Sequence, residues 1–360
     1  MAGNDDSVVL EVGGHEVTLS HPDKVFFPER GETKLDLVRY YEAVAEPLLA
    51  TMGGRPVLLQ RFRDGATGEG FFQKRVPKNA PPWLQTTVVS TVNGTPSDAM
   101  VVADIGHVAW AANLACLGFH VWPTRAGDAS EGEPDPSAPS AVLALAPVER
   151  GPIADELRID LDPTPGVDFP MLREAATEVK QLFDEIGIAA FPKTTGNRGI
   201  HVYVHVEDGR WSSYDVRAGA VAVARELERR RPDLLTAAWW KEERGTRVFV
   251  DFNQNAPHKT VFGAWSVRAR AGAQVSTPFA WDELEGIHPD ELTIANVPAR
   301  LAANGDPWAA MYDDPQPLEP MLERYASDLA AGMQDAPWPP VYPKMPNEPP
   351  RVAPSRAKKA

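Results

Sequence analysis

Asp160 and Asp162 stand two residues apart in DELRIDLDP, residues 155–163. If 157–162 is a strand, its side chains alternate, so both carboxylates share one surface while Ile159 and Leu161 face the other. Carboxylates held that close repel each other unless water or a cation lies between them. A divalent metal is the sharper reading of the pair. The plainer one is an Asp-x-Asp that closes a strand and enters the turn at 163–166, where aspartate is favoured on its own account. Further along, the turn Lys-Thr-Thr-Gly-Asn-Arg-Gly-Ile-His, residues 193–201, has parts suited to a triphosphate. Its two glycines let backbone amides approach an anion, Thr195 offers a hydroxyl and Arg198 a bidentate fork. Alone, Gly-x-x-Gly marks a plain hairpin turn; beside an acidic cluster it gains weight.

The elements that must hold these residues follow from periodicity. From residue 157 the pattern is strand (157–162), helix (169–186), short strand (189–193), strand (200–205), helix (214–231) and strand (247–252). This βαββαβ order predicts a ferredoxin-like sheet with strands in the order 4-1-3-2, helices on one face and the other face open. The strand of Asp160 and Asp162 is then central, with Asp251 beside it on one flank and His201 on the other. Three aspartates on one open face cost about 3 kcal/mol for each pair about 5 Å apart at an effective dielectric near 20. Two divalent ions turn that cost into a binding site, and oxygen ligands suit Mg²⁺ or Mn²⁺ rather than zinc. The chemistry such a site performs is phosphoryl or nucleotidyl transfer.

The N-terminal half adds a different kind of residue. VVLEV-GG-HEVTL reads as a hairpin. A helix over 34–52 is capped by Thr33, a strand follows at 56–62, and the loop 63–70 leads to Phe71-Phe72-Gln73-Lys74-Arg75. Adjacent aromatics flanked by glycines and bases usually include one core residue; at a loop tip they stack instead on nucleobases beside phosphate-seeking cations. Strands at 86–92 and 99–102 and an apolar helix near 108–117 complete this half, and the acidic, proline-bearing stretch 126–139 is a surface loop or boundary. From about residue 313 proline becomes frequent, and 336–360 reads as an extended tail ending in RAKKA. The expected division is 1–150, an N-terminal α/β module with DNA-binding loops; 151–300, the catalytic module; and 301–360, an acidic and then proline-rich segment.

The formal net charge of −14 argues at first against nucleic acid. Its distribution argues otherwise, because residues 282–335 hold twelve acids against two bases, while 55–78 hold six bases against two acids. The single cysteine, Cys116, excludes internal disulfides and any multi-cysteine zinc site. No stretch approaches the roughly 20 apolar residues of a membrane span. The start MAGNDDS has neither a basic region nor an apolar run, which sets the expectation of a cytoplasmic protein.

The segments DELRIDLDP, FPKTTGNRGIHVYV and the long run 247–284 resemble the three motifs of the archaeo-eukaryotic primase superfamily. They look most like the polymerase domain of the bacterial end-joining ligase and its stand-alone relatives. The likeness runs from about Val17 to Leu292 and includes DKVFFP, the Phe71-Phe72 loop and WLQTTVV. It implies an α+β, two-module primase-polymerase fold with a ferredoxin- or RRM-like catalytic module and a central cleft. The activity it implies is the extension of DNA ends or filling of short gaps in non-homologous end joining, using two Mn²⁺ or Mg²⁺ ions and NTP or dNTP, often with a preference for ribonucleotides and manganese. Position by position, Asp160, Asp162 and Asp251 match metal-binding aspartates. Thr195, Arg198, His201, Gln254 and Arg268 match residues that hold the incoming triphosphate, with Arg244 a weaker candidate. Lys24 and Lys34 match lysines that bind the 5′-phosphate of a gap, and Phe71 and Phe72, with Lys74 beside them, match aromatics that pack on template bases.

The implied partner is gapped or 3′-overhang DNA bearing a 5′-phosphate, with a separate DNA ligase and end-binding proteins, acting as a monomer at the bacterial nucleoid. Two departures bear on nucleotide affinity: Gln60 stands where relatives carry a lysine, and Arg198 replaces a common lysine. No Lys-x-Asp-Gly ligase signature occurs in this sequence. Two rivals remain, an RRM-type binding module without catalysis and a nucleotidyltransferase acting on a small molecule. An RRM, however, needs aromatics where this chain has Asp160 and Asp162.

Overall fold

The computed structural model describes residues 6–89, 95–126 and 152–352. The expected loop 126–139 and the terminal RAKKA fall almost wholly outside them. The chain opens with the hairpin β1 (Ser7–Val12) and β2 (His15–Ser20), turned at Gly13 and Gly14, and with the short pair β3 (Val25–Phe27) and β4 (Glu32–Thr33). Thr33 then caps α1 (Lys34–Ala43) in a reciprocal capping box with Asp36. The single helix expected over 34–52 is two: α1 ends at Val44 and α2 runs over Ala45–Met52. Pro47 explains the break, because it has no N–H to offer the carbonyl four residues earlier, at Ala43.

Next come β5 (Pro56–Phe62), β6 (Gly70–Gln73), β7 (Thr86–Val89), β8 (Ser97–Val101), α3 (Ile105–Asn113) and β9 (Cys116–Val121). Two readings need correction here. Phe71 and Phe72 lie in β6, paired to Arg61 and Gln60 of β5, and not at a loop tip. The apolar run after residue 108 is not one helix but α3 followed by β9, since a continuous apolar run fits a buried strand as well as a buried helix.

The second half holds β10 (Glu156–Pro163), α4 (Phe169–Glu185), β11 (Phe191–Thr194), β12 (Ile200–His205), α5 (Ser213–Arg230), β13 (Leu235–Thr236), α6 (Lys241–Arg244) and β14 (Val248–Asp251). Its sheet has the order β11-β12-β10-β14-β13, which is the predicted 4-1-3-2 arrangement with β13 added at the edge. Leu157, Ile159 and Leu161 are fully buried, and α4 and α5 both contact β10. The two halves are sewn together, because β15 (Val261–Phe262) follows β14 in sequence yet pairs with β9, giving a second sheet β15-β9-β5-β8-β7 with β6 on β5. A buried ion network adds to this seam: Arg55 at the start of β5 forks onto Asp155 at 2.6 and 2.7 Å, and Arg158 on β10 donates to the carbonyls of Val121 and Trp122.

Helices α7 (Val297–Asn304) and α8 (Glu319–Ala330) follow, the latter packed on α5. Of the expected extended tail, residues 336–352 are described; they are irregular, turn at 340–341 and 346–347, and do not hang free. Trp338 and Tyr342 are buried, because aromatic surface of that size is not left in water when a groove is available.

Candidate metal and nucleotide site

The register of the sheet β11-β12-β10-β14-β13 draws one row of side chains across its open face: Lys193 opposite His201, His201 opposite Asp160, and Asp160 opposite Asp251. Asp162, two residues from Asp160, shares that face. One carboxylate oxygen from each of Asp160, Asp162 and Asp251 lies within 4.8 Å of the other two. Burial, and for Asp162 and Asp251 the neighbouring carboxylates, pushes Asp160 and Asp162 up to about 6 and Asp251 up to about 7. Among the described residues Asp160 Oδ1 is buried and accepts no hydrogen bond; His201 Nε2, at 3.3 Å, is too poorly aligned to supply one. An orphaned buried oxygen among three repelling carboxylates, with no soft ligand nearby, fits a hard divalent cation.

Asp251 is oriented on both oxygens, by the N–H of Asn253 at 2.9 Å and by Gln254 Nε2 at 3.0 Å. Gln254 therefore touches a carboxylate, with one of its two amide N–H groups committed there. Arg244 reaches the same neighbourhood, stacked 3.4 Å over Phe249 and donating to the carbonyls of Ala238 and Trp239.

The turn is assembled differently from the simplest reading of its glycines. Thr195 Oγ1 accepts the amides of Asn197 and Gly199 at 3.2 and 3.1 Å, so those two N–H groups hold the turn and are not open to an anion. Arg198 is exposed and has no hydrogen-bond or ion-pair partner among the described residues. Arg268 is packed against the turn, donating Nε to the carbonyl of Thr195 at 2.7 Å and stacking 3.5 Å over Phe262. The close fit demands glycine at 196, where φ is +68° and a Cβ would sit 2.8 Å from Arg268 Cγ. Burial lowers Arg268 to about 10, still charged at neutral pH, facing Asp160 and Asp162.

His201 is buried, and that burial together with Lys193 and Arg268 holds its pKa well below the usual range, so the ring is neutral. Lys193 was invisible as a site residue in the sequence. It is fully buried, donating Nζ to the Phe262 carbonyl at 2.9 Å and to Ser276 Oγ at 2.6 Å, and so pins both ends of the segment that carries Arg268. Its register opposite His201 is the signal that identifies it, readable only once the strands are paired. Phe262 is the other omission; no local signal marks it as the platform for Arg268.

A second group lies on the N-terminal half. Lys34 Nζ donates to Ser20 O at 2.7 Å and to Asn113 Oδ1 at 3.1 Å, and burial, with Lys24 and Arg61 nearby, lowers it to about 8. Lys24 is exposed, bonded to the carbonyl of Arg63 at 2.6 Å. Phe71 and Phe72 are 38% and 56% exposed; Arg61 and Arg63 sit over Phe71 at 5.2 and 5.3 Å. Phe72 meets His120 edge-on at 5.1 Å and His120 meets Phe262 at 5.2 Å, so an aromatic chain links the exposed strand to the Arg268 platform. Lys74 lies 5.9 Å over Trp122.

With this geometry in view, the sequence profile of the LigD primase-polymerase domain matches residues 33–308. The chain belongs to that family. It is 34% identical over 328 residues to the multifunctional non-homologous end joining DNA repair protein LigD of Mycobacterium tuberculosis, covering 91% of this chain but 41% of that protein. It is 30% identical over 305 residues to the bifunctional non-homologous end joining protein LigD of Bacillus subtilis, covering 84% of this chain and 45% of that one. Among solved structures, the polymerase domain of Mycobacterium tuberculosis ligase D in complex with DNA is similar with a TM-score of 0.72 at 33% identity, over 83% of this chain and 99% of that one. Among the described residues no helix is long and apolar enough to cross a membrane.

The acidic cluster makes a pH-dependent prediction. The folded-state values near 6 and 7 lie above the unfolded 3.8, so protonation of these groups favours the folded state. That contribution is complete below about pH 4 and is lost as pH rises through 6 to 7. Mn²⁺ should therefore raise the melting temperature more at pH 8 than at pH 5.5 in wild type, with the difference shrinking in Asp251→Asn. Equal shifts at both pH values would contradict the cluster as the metal site.

Proposed function

We propose that this chain is a template-directed nucleotidyltransferase that adds nucleotides to the 3′ end of a DNA strand at short gaps or breaks, in the service of end joining. The observation that carries this reading is the convergence of Asp160, Asp162 and Asp251 within 4.8 Å on one sheet face, with Arg268 packed beside them. Two Mn²⁺ or Mg²⁺ ions held by these carboxylates would acidify the primer 3′-hydroxyl and carry triphosphate charge. The protein's own groups do the rest. As the 3′ oxygen bonds the α-phosphorus and the bond to pyrophosphate breaks, Arg268 and the free fork of Arg198 neutralise the charge gathering on the leaving group. Neutral His201 keeps the floor of the site uncharged beside Asp160, and Gln254 holds the Asp251 carboxylate in place.

DNA as substrate is supported by the similarity to a polymerase domain solved with DNA. Recognition of a gap's 5′-phosphate is supported by the gathering of Lys24, Lys34 and Arg61, and template stacking by the exposed rings of Phe71 and Phe72 with Lys74 near them. A preference for ribonucleotides and for manganese rests on the family resemblance alone, as do a monomeric state, cooperation with a separate ligase and end-binding proteins, and residence at the nucleoid. Primer extension across a one-nucleotide gap, with and without the 5′-phosphate and with ribo- or deoxyribonucleotides, tests the reading. Replacing Lys24 with Ala and Lys34 with Met should erase the advantage of the 5′-phosphate while extension of an open primer-template persists. A retained advantage would remove those lysines from the role.

A further inference from the structure

We infer that residues 335–342, beyond the end of the profile match at 308, are positioning residues for the Asp251 carboxylate. This rests on the metal-site reading above. Asp251 is followed directly by the 3-10 turn Phe252–Asn255, whose Asn253 N–H grips Asp251 Oδ1. The place of that N–H depends on what holds Asn253, which is 2% exposed. Arg217 Nε donates to Asn253 Oδ1 at 2.8 Å, and Asn253 Nδ2 donates to the carbonyl of Pro337 at 3.0 Å.

Arg217 in turn is fixed by the C-terminal segment. It donates to Asp335 at 3.2 Å and to the carbonyl of Ala336 at 2.9 Å, and Trp338 lies 3.8 Å from its guanidinium. Trp338 Nε1 closes the loop on Asp335 Oδ2 at 2.7 Å. On the far side of the turn, the Tyr342 hydroxyl donates to the carbonyl of Pro257, and both aromatics pack on Ala256. The other wall is the sheet itself, where Asn255 exchanges hydrogen bonds with the backbone of Arg158 at 2.8 and 2.7 Å. The turn after Asp251 is thus clamped between β10, which carries the other two carboxylates, and the C-terminal segment. Replacing residues that orient a metal ligand typically costs about 10–100-fold in metal affinity.

The test is Mn²⁺ binding followed by electron paramagnetic resonance in the absence of DNA and nucleotide, on the full chain. Trp338→Ala should weaken Mn²⁺ binding about tenfold, and Trp338→Phe, which keeps a ring under Arg217, should recover most of it. Tyr342→Phe deletes only a hydroxyl and serves if Trp338→Ala does not fold; it should weaken Mn²⁺ binding to a lesser but measurable degree. Folded variants that bind Mn²⁺ as wild type does would overturn the clamp. A wild-type protein that binds no Mn²⁺, or binds it undiminished by Asp160→Asn, would overturn the metal-site reading and the clamp with it.

Discussion

Asp160→Asn is expected to lower the rate of nucleotide addition at least about a thousandfold, equivalent to about 4 kcal/mol of transition-state stabilisation, while leaving DNA affinity intact. Asp160 sits at the centre of the row, between His201 and Asp251, with an oxygen that no donor among the described residues satisfies. The same substitution should stabilise the metal-free protein at pH 8, on the order of 3 kcal/mol, because it removes a buried charge from a carboxyl whose pKa is raised from 3.8 to about 6. Loss of activity together with a gain in melting temperature distinguishes a functional carboxylate from a fold-supporting one. A simultaneous fall in both would contradict the assignment.

Arg268→Ala is expected to reduce kcat/KM for the nucleotide about a hundredfold, about 3 kcal/mol, again with DNA binding in the absence of nucleotide unchanged. The guanidinium is held over Phe262 and tied through Nε to the Thr195 carbonyl, close enough to Asp160 and Asp162 to feel their charge. Lysine cannot reproduce both the stacking and the fork, so Arg268→Lys should rescue poorly. Steady-state kinetics that moved only the apparent affinity for DNA would place Arg268 in the wrong role.

The catalytic sheet was legible because its strands are short, alternating and separated by two long amphipathic helices. From these the strand order, and hence the adjacency of Asp160, Asp162, Asp251 and His201, follows by topology alone. Other features were hidden for identifiable reasons. Cys116–Val121 is apolar at nearly every position, so periodicity does not separate a helix from a buried strand there. The pairing of Val261–Phe262 with β9 joins residues about 140 apart through contacts that leave no local trace. Thr195 was readable as a polar group, but not that its hydroxyl would consume two turn amides. Lys193 shows why burial must be seen to be known: lysine in a strand reads as solvent-facing, and only the stacked 262–276 segment encloses it. The prolines of 336–350 obscured Trp338 and Tyr342, whose burial turns an extended tail into a clamp.

The most direct test of the central claim is templated single-nucleotide addition to a labelled primer, with each of the four nucleotides supplied separately and Mn²⁺ or chelator present. Addition is expected only of the nucleotide complementary to the template base, only with a divalent ion, and not at all by Asp160→Asn. Binding to single-stranded nucleic acid without addition under any metal would contradict it and identify the sheet as a binding platform instead.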